Sequence, residues 1–79
     1  IYPLAELVSR SLEFAAVLAS RAPLAQRYAK EVMRRAADMP MADALKLESR
    51  SFYDLGHTAD IKEGTTAFRE KRPTNFKGK

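Results

Sequence analysis

Four prolines set the lengths of what this chain can build. Pro3, Pro23, Pro40 and Pro73 have no backbone donor, so none sits inside a helix without cost. Between them apolar residues recur at three- and four-residue steps, the period of a helix. Leu4, Leu7, Val8, Leu12, Ala15 and Leu18, widened by Phe14, predict a first helix over residues 4–21. Pro23 suits the first turn of a second helix, where an amide donor is not needed. Its stripe is Leu24, Tyr28, Val32 and Ala36, with Ala25, Ala29 and Met33 beside it, and it frays near Asp38-Met39-Pro40. A third helix runs from Met41 to Leu55, with Met41, Leu45, Phe52 and Leu55 on one face and Ala44 flanking. Gly56 offers a left-handed stop.

A fourth helix begins after Thr58 or Asp60 and ends before Pro73. Asp60 and Glu63 have the spacing of a capping box. Ile61, Ala67 and Phe68 supply its apolar contacts. Gly64 weakens its first turn by about 1 kcal/mol relative to alanine. A glycine tolerated there implies that another backbone or a ligand passes close. Ile1-Tyr2-Pro3 reads as the tail of a preceding strand. Thirteen alanines raise helix propensity and permit close helix approach. The expectation is an all-α chain of four helices, one domain over residues 1–79, with short connections.

The chain is 79 residues long, 46% hydrophobic and 30% charged, a composition that folds. A chain of this length buries only about 60–65% of its unfolded surface. Helices one to three should therefore leave some of Leu7, Leu18, Tyr28, Val32, Leu45 and Phe52 open, as an interface. The absence of cysteine excludes a disulfide scaffold, a thiolate metal site and a cysteine nucleophile. A single histidine cannot build a zinc site without other strong ligands. No apolar run reaches the ~20 residues of a membrane span, and no signal peptide is visible. The expectation is a soluble intracellular protein. Its first residue is Ile1, which suggests a piece of something longer.

Charge is unevenly placed. Lys/Arg total 14 against 10 Asp/Glu, a net charge of +4. Residues 1–61 balance, so the excess lies in residues 62–79, on Lys62, Arg69, Lys71, Arg72, Lys77 and Lys79. Such a tail suits an anionic partner, and equally a solubilising terminus. Glu70-Lys71-Arg72 reads either as cations facing a helix C-terminus or as a phosphate site. Phe68 beside it, and Phe52, are either core or aromatic faces for a nucleotide base. His57 is either an acid/base group or an exposed loop residue. Glu48 interrupts the third stripe, as a catalytic carboxylate or as an ion-pair partner of Arg27 or Lys30. There is no phosphate loop, metal-ligand spacing or activated nucleophile, so the chain has no catalytic residues and no metal site of its own.

The run Glu63-Gly64-Thr65-Thr66-Ala67-Phe68-Arg69-Glu70-Lys71-Arg72, then Pro73 and Asn75-Phe76-Lys77-Gly78, resembles the C-terminus of the enoyl-CoA hydratase/isomerase, or crotonase, superfamily. Ala22-Pro23-Leu24-Ala25 with Lys30, Ala44-Leu45 with Glu48 and Phe52, and Thr58-Ala59-Asp60 are similar to that family's preceding elements. The resemblance covers essentially the whole chain. It departs mildly at Ala59, where the family often has an acid.

The resemblance implies the C-terminal helical segment of a larger enzyme, whose β/α spiral core holds the oxyanion hole and the catalytic acids and is absent here. It implies that the helices form oligomer contacts, in a trimer or hexamer, and a lid on the CoA site. By position it implies that Phe52 and Phe68 line that site and that Lys71 stands near the CoA 3′-phosphate. The substrate would be an acyl-CoA thioester and no separate cofactor would be needed. The implied location is the bacterial cytoplasm or the mitochondrial matrix. The implied reaction is hydration of a 2-enoyl-CoA; isomerase, decarboxylase and thioester hydrolase chemistry are the family's alternatives. Outside the family, the alternatives are a basic helical module binding nucleic acid and a pure oligomerisation element.

Overall fold

A computed structural model describes residues 1–79, and it is all helix, turn and extended tail with no strand. A 3-10 turn, Leu4–Glu6, leads into α1, Leu7–Ala19. Then come α2, Pro23–Ala36, α3, Met41–Leu55, and α4, Ala59–Glu70. The all-α expectation of four helices holds. Pro23 occupies the first turn of α2, and α3 has the bounds that its apolar stripe predicts. The first helix is shorter than expected, because its opening residues tighten into the 3-10 turn. Ile1-Tyr2-Pro3 forms no regular element.

Three local expectations are corrected. Gly56 is right-handed, with φ −60° and ψ −18°. Its amide still donates to Phe52 O at 3.0 Å, so the helical pattern runs through it into the short α3–α4 connection. The residue that caps α4 is Thr58, whose hydroxyl accepts from Ile61 N at 3.3 Å and donates to Leu55 O at 2.7 Å. Asp60 and Glu63 therefore form no capping box; both carboxylates turn to the tail. Glu48 is exposed and makes no ion pair with Arg27 or Lys30. Those two cations share a polar concavity on α2 with Glu31, Arg34, Arg35 and Asp38, away from Glu48.

The packing is open. The principal pair is α2 against α3, with Tyr28 and Val32 half-buried between them. Gln26 Nε2 donates to Leu18 O at 2.7 Å and ties the end of α1 to α2. Otherwise α1 has no cover, and Leu7, Val8, Leu12 and Phe14 are exposed. Leu45 and Phe52 are exposed as well. Only Ala67, Ser51 and Asp60 are buried. The radius of gyration is 15.9 Å, where a closed globule of this length would have about 12 Å. Four helices here make a plate of 44 × 38 × 18 Å and not a bundle around a core.

What order the plate has at its far end comes from the tail. After α4 the chain doubles back along that helix. Asp60 Oδ1 accepts from Lys77 N and Oδ2 from Gly78 N, both at 2.8 Å, and Asp60 N donates to Lys79 O at 2.9 Å. The Phe76 ring lies over Gly64, where an added Cβ would meet Cε1 at 3.5 Å. The expected close neighbour of Gly64 is thus the chain's own aromatic.

Candidate functional site

Lys71 stands at the turn that ends α4, and its backbone is left-handed, φ 56° and ψ 41°. It is the only non-glycine residue with positive φ. A left-handed L-residue costs roughly 1–2 kcal/mol, which is why glycine is usual at this position. Two hydrogen bonds close the turn, Lys71 N to Phe68 O at 3.2 Å and Arg72 N to Ala67 O at 3.0 Å. They are the pair that defines a Schellman end. The sequence places the left-handed stop at Gly56; tertiary contacts place it at Lys71.

Beside Lys71 the charges sort themselves. Arg72 Nη1 and Nη2 each donate to Glu63 at 2.9 Å, and Nε donates to Glu70 at 2.7 Å. Glu63 also accepts from Asn75 N at 2.8 Å. The Arg72 guanidinium and the Asn75 amide hold the Glu63 carboxyl well below its ordinary 4.5, at about 2. Glu63 and Glu70 in turn push Arg72 higher still. Arg72 is therefore committed within the chain. Lys71 and Arg69 have no carboxylate within 4.0 Å and keep their cations free.

Two apolar grooves flank α3. One, about 420 Å³, is lined by Leu24, Phe52, Leu55, Ile61, Gly64 and Phe76, among others. The second, about 380 Å³, runs between α2 and α3 and is lined by Tyr28, Val32, Met33, Glu48, Ser51 and Phe52. Phe52 thus faces both, 71% exposed. Phe68 lines neither and is 87% exposed. Within one copy of the chain the two phenylalanines share no groove. The aromatic that joins Phe52 is Phe76, which the sequence reading passed over as a site residue. Its signal was Gly64, a small residue kept inside a helix.

His57 Nδ1 lies 2.9 Å from Tyr53 O, and its ring packs on Tyr53 at 4.7 Å between centroids. No carboxylate or nucleophile orients it. The balanced charge of residues 1–61 also conceals a ridge: Arg27, Lys30 and Arg34 lie along α2 without an acid within 4.0 Å, while Arg35 pairs with Glu31 at 3.5 Å.

This geometry has close counterparts. The family described as enoyl-CoA hydratase/isomerase matches residues 1–79. The mitochondrial enoyl-CoA hydratase of Pongo abelii is 42% identical over 77 residues, 98% of this chain and 27% of that protein. The 2,3-dehydroadipyl-CoA hydratase of Escherichia coli is 32% identical, over 100% of this chain and 31% of that protein. The crystal structure of an enoyl-CoA hydratase from Bacillus anthracis superposes with a TM-score of 0.94 at 33% identity, covering 99% of this chain and 30% of that one. The chain thus spans less than a third of the length of these relatives. No helix is long and apolar enough to cross a membrane.

Proposed function

We propose a function from one premise: this chain belongs to the enoyl-CoA hydratase/isomerase family. It is the C-terminal helical segment of an acyl-CoA enzyme that adds water across a 2-enoyl-CoA thioester. The observation that carries this reading is the match along the whole chain, together with hydratases among the relatives. The catalytic acids and the oxyanion hole belong to the upstream core, and this segment supplies oligomer contacts and part of the CoA grip.

In that grip Phe52 and Phe68 offer aromatic faces, and Lys71 offers a point charge to the 3′-phosphate. The exposure of both rings suits a site completed by another surface, the core or a neighbouring subunit. An ammonium–phosphate contact is a charge-assisted hydrogen bond, worth on the order of 1.5–3 kcal/mol. Because it lies far from the reacting carbons, it binds ground and transition states alike and acts on KM. The test is hydration of crotonyl-CoA by the full-length enzyme containing this chain. Turnover supports the reading; turnover of only a 3-enoyl isomer would assign isomerase chemistry instead.

The ridge of Arg27, Lys30 and Arg34 favours one second reading, a basic module that binds nucleic acid. Salt-dependent binding of arbitrary DNA with no response to CoA would support it over the first.

A further inference from the structure

The Lys71 backbone is held in a costly conformation by something, and the hydrogen bonds of the turn are not specific to it. A Schellman end forms with glycine at no steric cost. Here the position carries a lysine whose charge no carboxylate neutralises, next to an arginine whose guanidinium makes four hydrogen bonds within the chain. Arg72 reaches back nine residues to Glu63 with both terminal nitrogens at 2.9 Å, reaches Glu70 with Nε at 2.7 Å, and donates to Pro73 O at 3.2 Å. Glu63 closes the loop on the Asn75 amide at 2.8 Å. Arg72 is therefore fastened both to Glu63 on the preceding turns of α4 and to Glu70 on the other side of Lys71, and Lys71 is the link between these two paired residues.

We propose that Glu63, acting through Arg72, is a positioning residue for Lys71: the ion pair holds the left-handed turn that presents the ammonium to a phosphate group. The inference rests on the reading of Lys71 as a phosphate contact. It assigns separate tasks to adjacent cations. Arg72, planar and forked, matches a carboxylate with two parallel bonds and serves as the strap. Lys71, a compact charge on a flexible stem, serves the ligand. Arg69, equally free of acids, is on the helix proper and is not held by the strap.

The test uses the full-length enzyme as wild type, Glu63→Gln, Lys71→Ala, the double variant and Arg69→Ala. Each is assayed for kcat/KM with crotonyl-CoA and with crotonyl-dephospho-CoA. Lys71→Ala should lose about tenfold with the CoA thioester and little with the dephospho form. Glu63→Gln should lose about three- to tenfold, again only with the CoA thioester. The double variant should be no worse than Lys71→Ala, because the two residues act on one contact. Arg69→Ala should fall short of either.

An equal loss of both thioesters in Glu63→Gln means a merely structural strap and overturns the proposal. A phosphate-specific loss in Lys71→Ala with none in Glu63→Gln overturns the positioning role and leaves the Lys71 contact standing. No phosphate-specific loss in Lys71→Ala overturns that contact and the positioning role with it. Should Glu63→Gln fail to assemble, Arg72→Lys keeps the charge and loses the fork, and is scored by the same ratio.

Discussion

Arg72 meets Glu63 as a fork, its two terminal nitrogens each 2.9 Å from a carboxylate oxygen, across nine residues of sequence. The pair fastens the tail to α4, and it makes the tail sensitive to acid. Glu63 titrates at about 2 when folded and near its ordinary 4.5 when released. Its folded value is depressed, so its contribution is whole above about pH 4.5, fades as pH falls toward 2, and is gone below that. The Asn75 amide should exchange faster across this window. In Arg72→Ala the carbon-detected titration of the Glu63 carboxyl should move back toward 4.5. A midpoint that stays near 2 would mean that Arg72 is not the cause.

Asp60 is buried and accepts two tail amides at 2.8 Å. Asp60→Ala strands the amides of Lys77 and Gly78 and should cost about 1–3 kcal/mol. Asp60→Asn keeps one acceptor oxygen and should cost less. Thermal melting of the full-length enzyme ranks the two, and amide exchange at Lys77 and Gly78 shows whether the tail has lifted. Equal Tm values for all three proteins would mean that the clamp adds nothing.

Gly64 has room for a methyl group, since its added Cβ would meet Phe76 at 3.5 Å, an ordinary contact. Gly64→Ala should therefore stabilise α4 by up to about 1 kcal/mol through helix propensity. Gly64→Leu has no such room and should displace the Phe76 ring. Denaturant midpoints check both signs, and a destabilised alanine variant would show that Phe76 cannot give way.

Lys71→Gly separates stability from binding at one position. Removing the left-handed strain should raise stability by roughly 1 kcal/mol. The same change removes the ammonium, so KM for acyl-CoA should rise. A rise in Tm together with a rise in KM is the expected signature. Added salt should shrink the wild-type advantage. An unchanged KM would leave Lys71 as a helix-end cation only.

The 79-residue chain alone should neither turn over crotonyl-CoA nor melt as a monomer. It has no paired acid/base groups, and α1 leaves Leu7, Val8, Leu12 and Phe14 open. Sedimentation at several concentrations should show self-association, with dye binding to exposed apolar surface. A sharp, concentration-independent monomer melt would count against this.

The sequence by itself determined the four helices of this protein, because proline positions and three-to-four-residue apolar spacing are local properties. It also determined the family, through the Ala67-Phe68 and Glu70-Lys71-Arg72 run. What only the tertiary structure decided concerns residues far apart in the chain. Asp60 and Glu63 look like a cap at three-residue spacing, yet each bonds the tail 9 to 18 residues away. The left-handed turn falls on Lys71 and not Gly56, because the returning tail fixes the end of α4 while the α3–α4 connection continues the helix. Phe76 joins Phe52 in one groove, and Phe68 does not, because a doubled-back chain brings together what periodicity along one helix cannot.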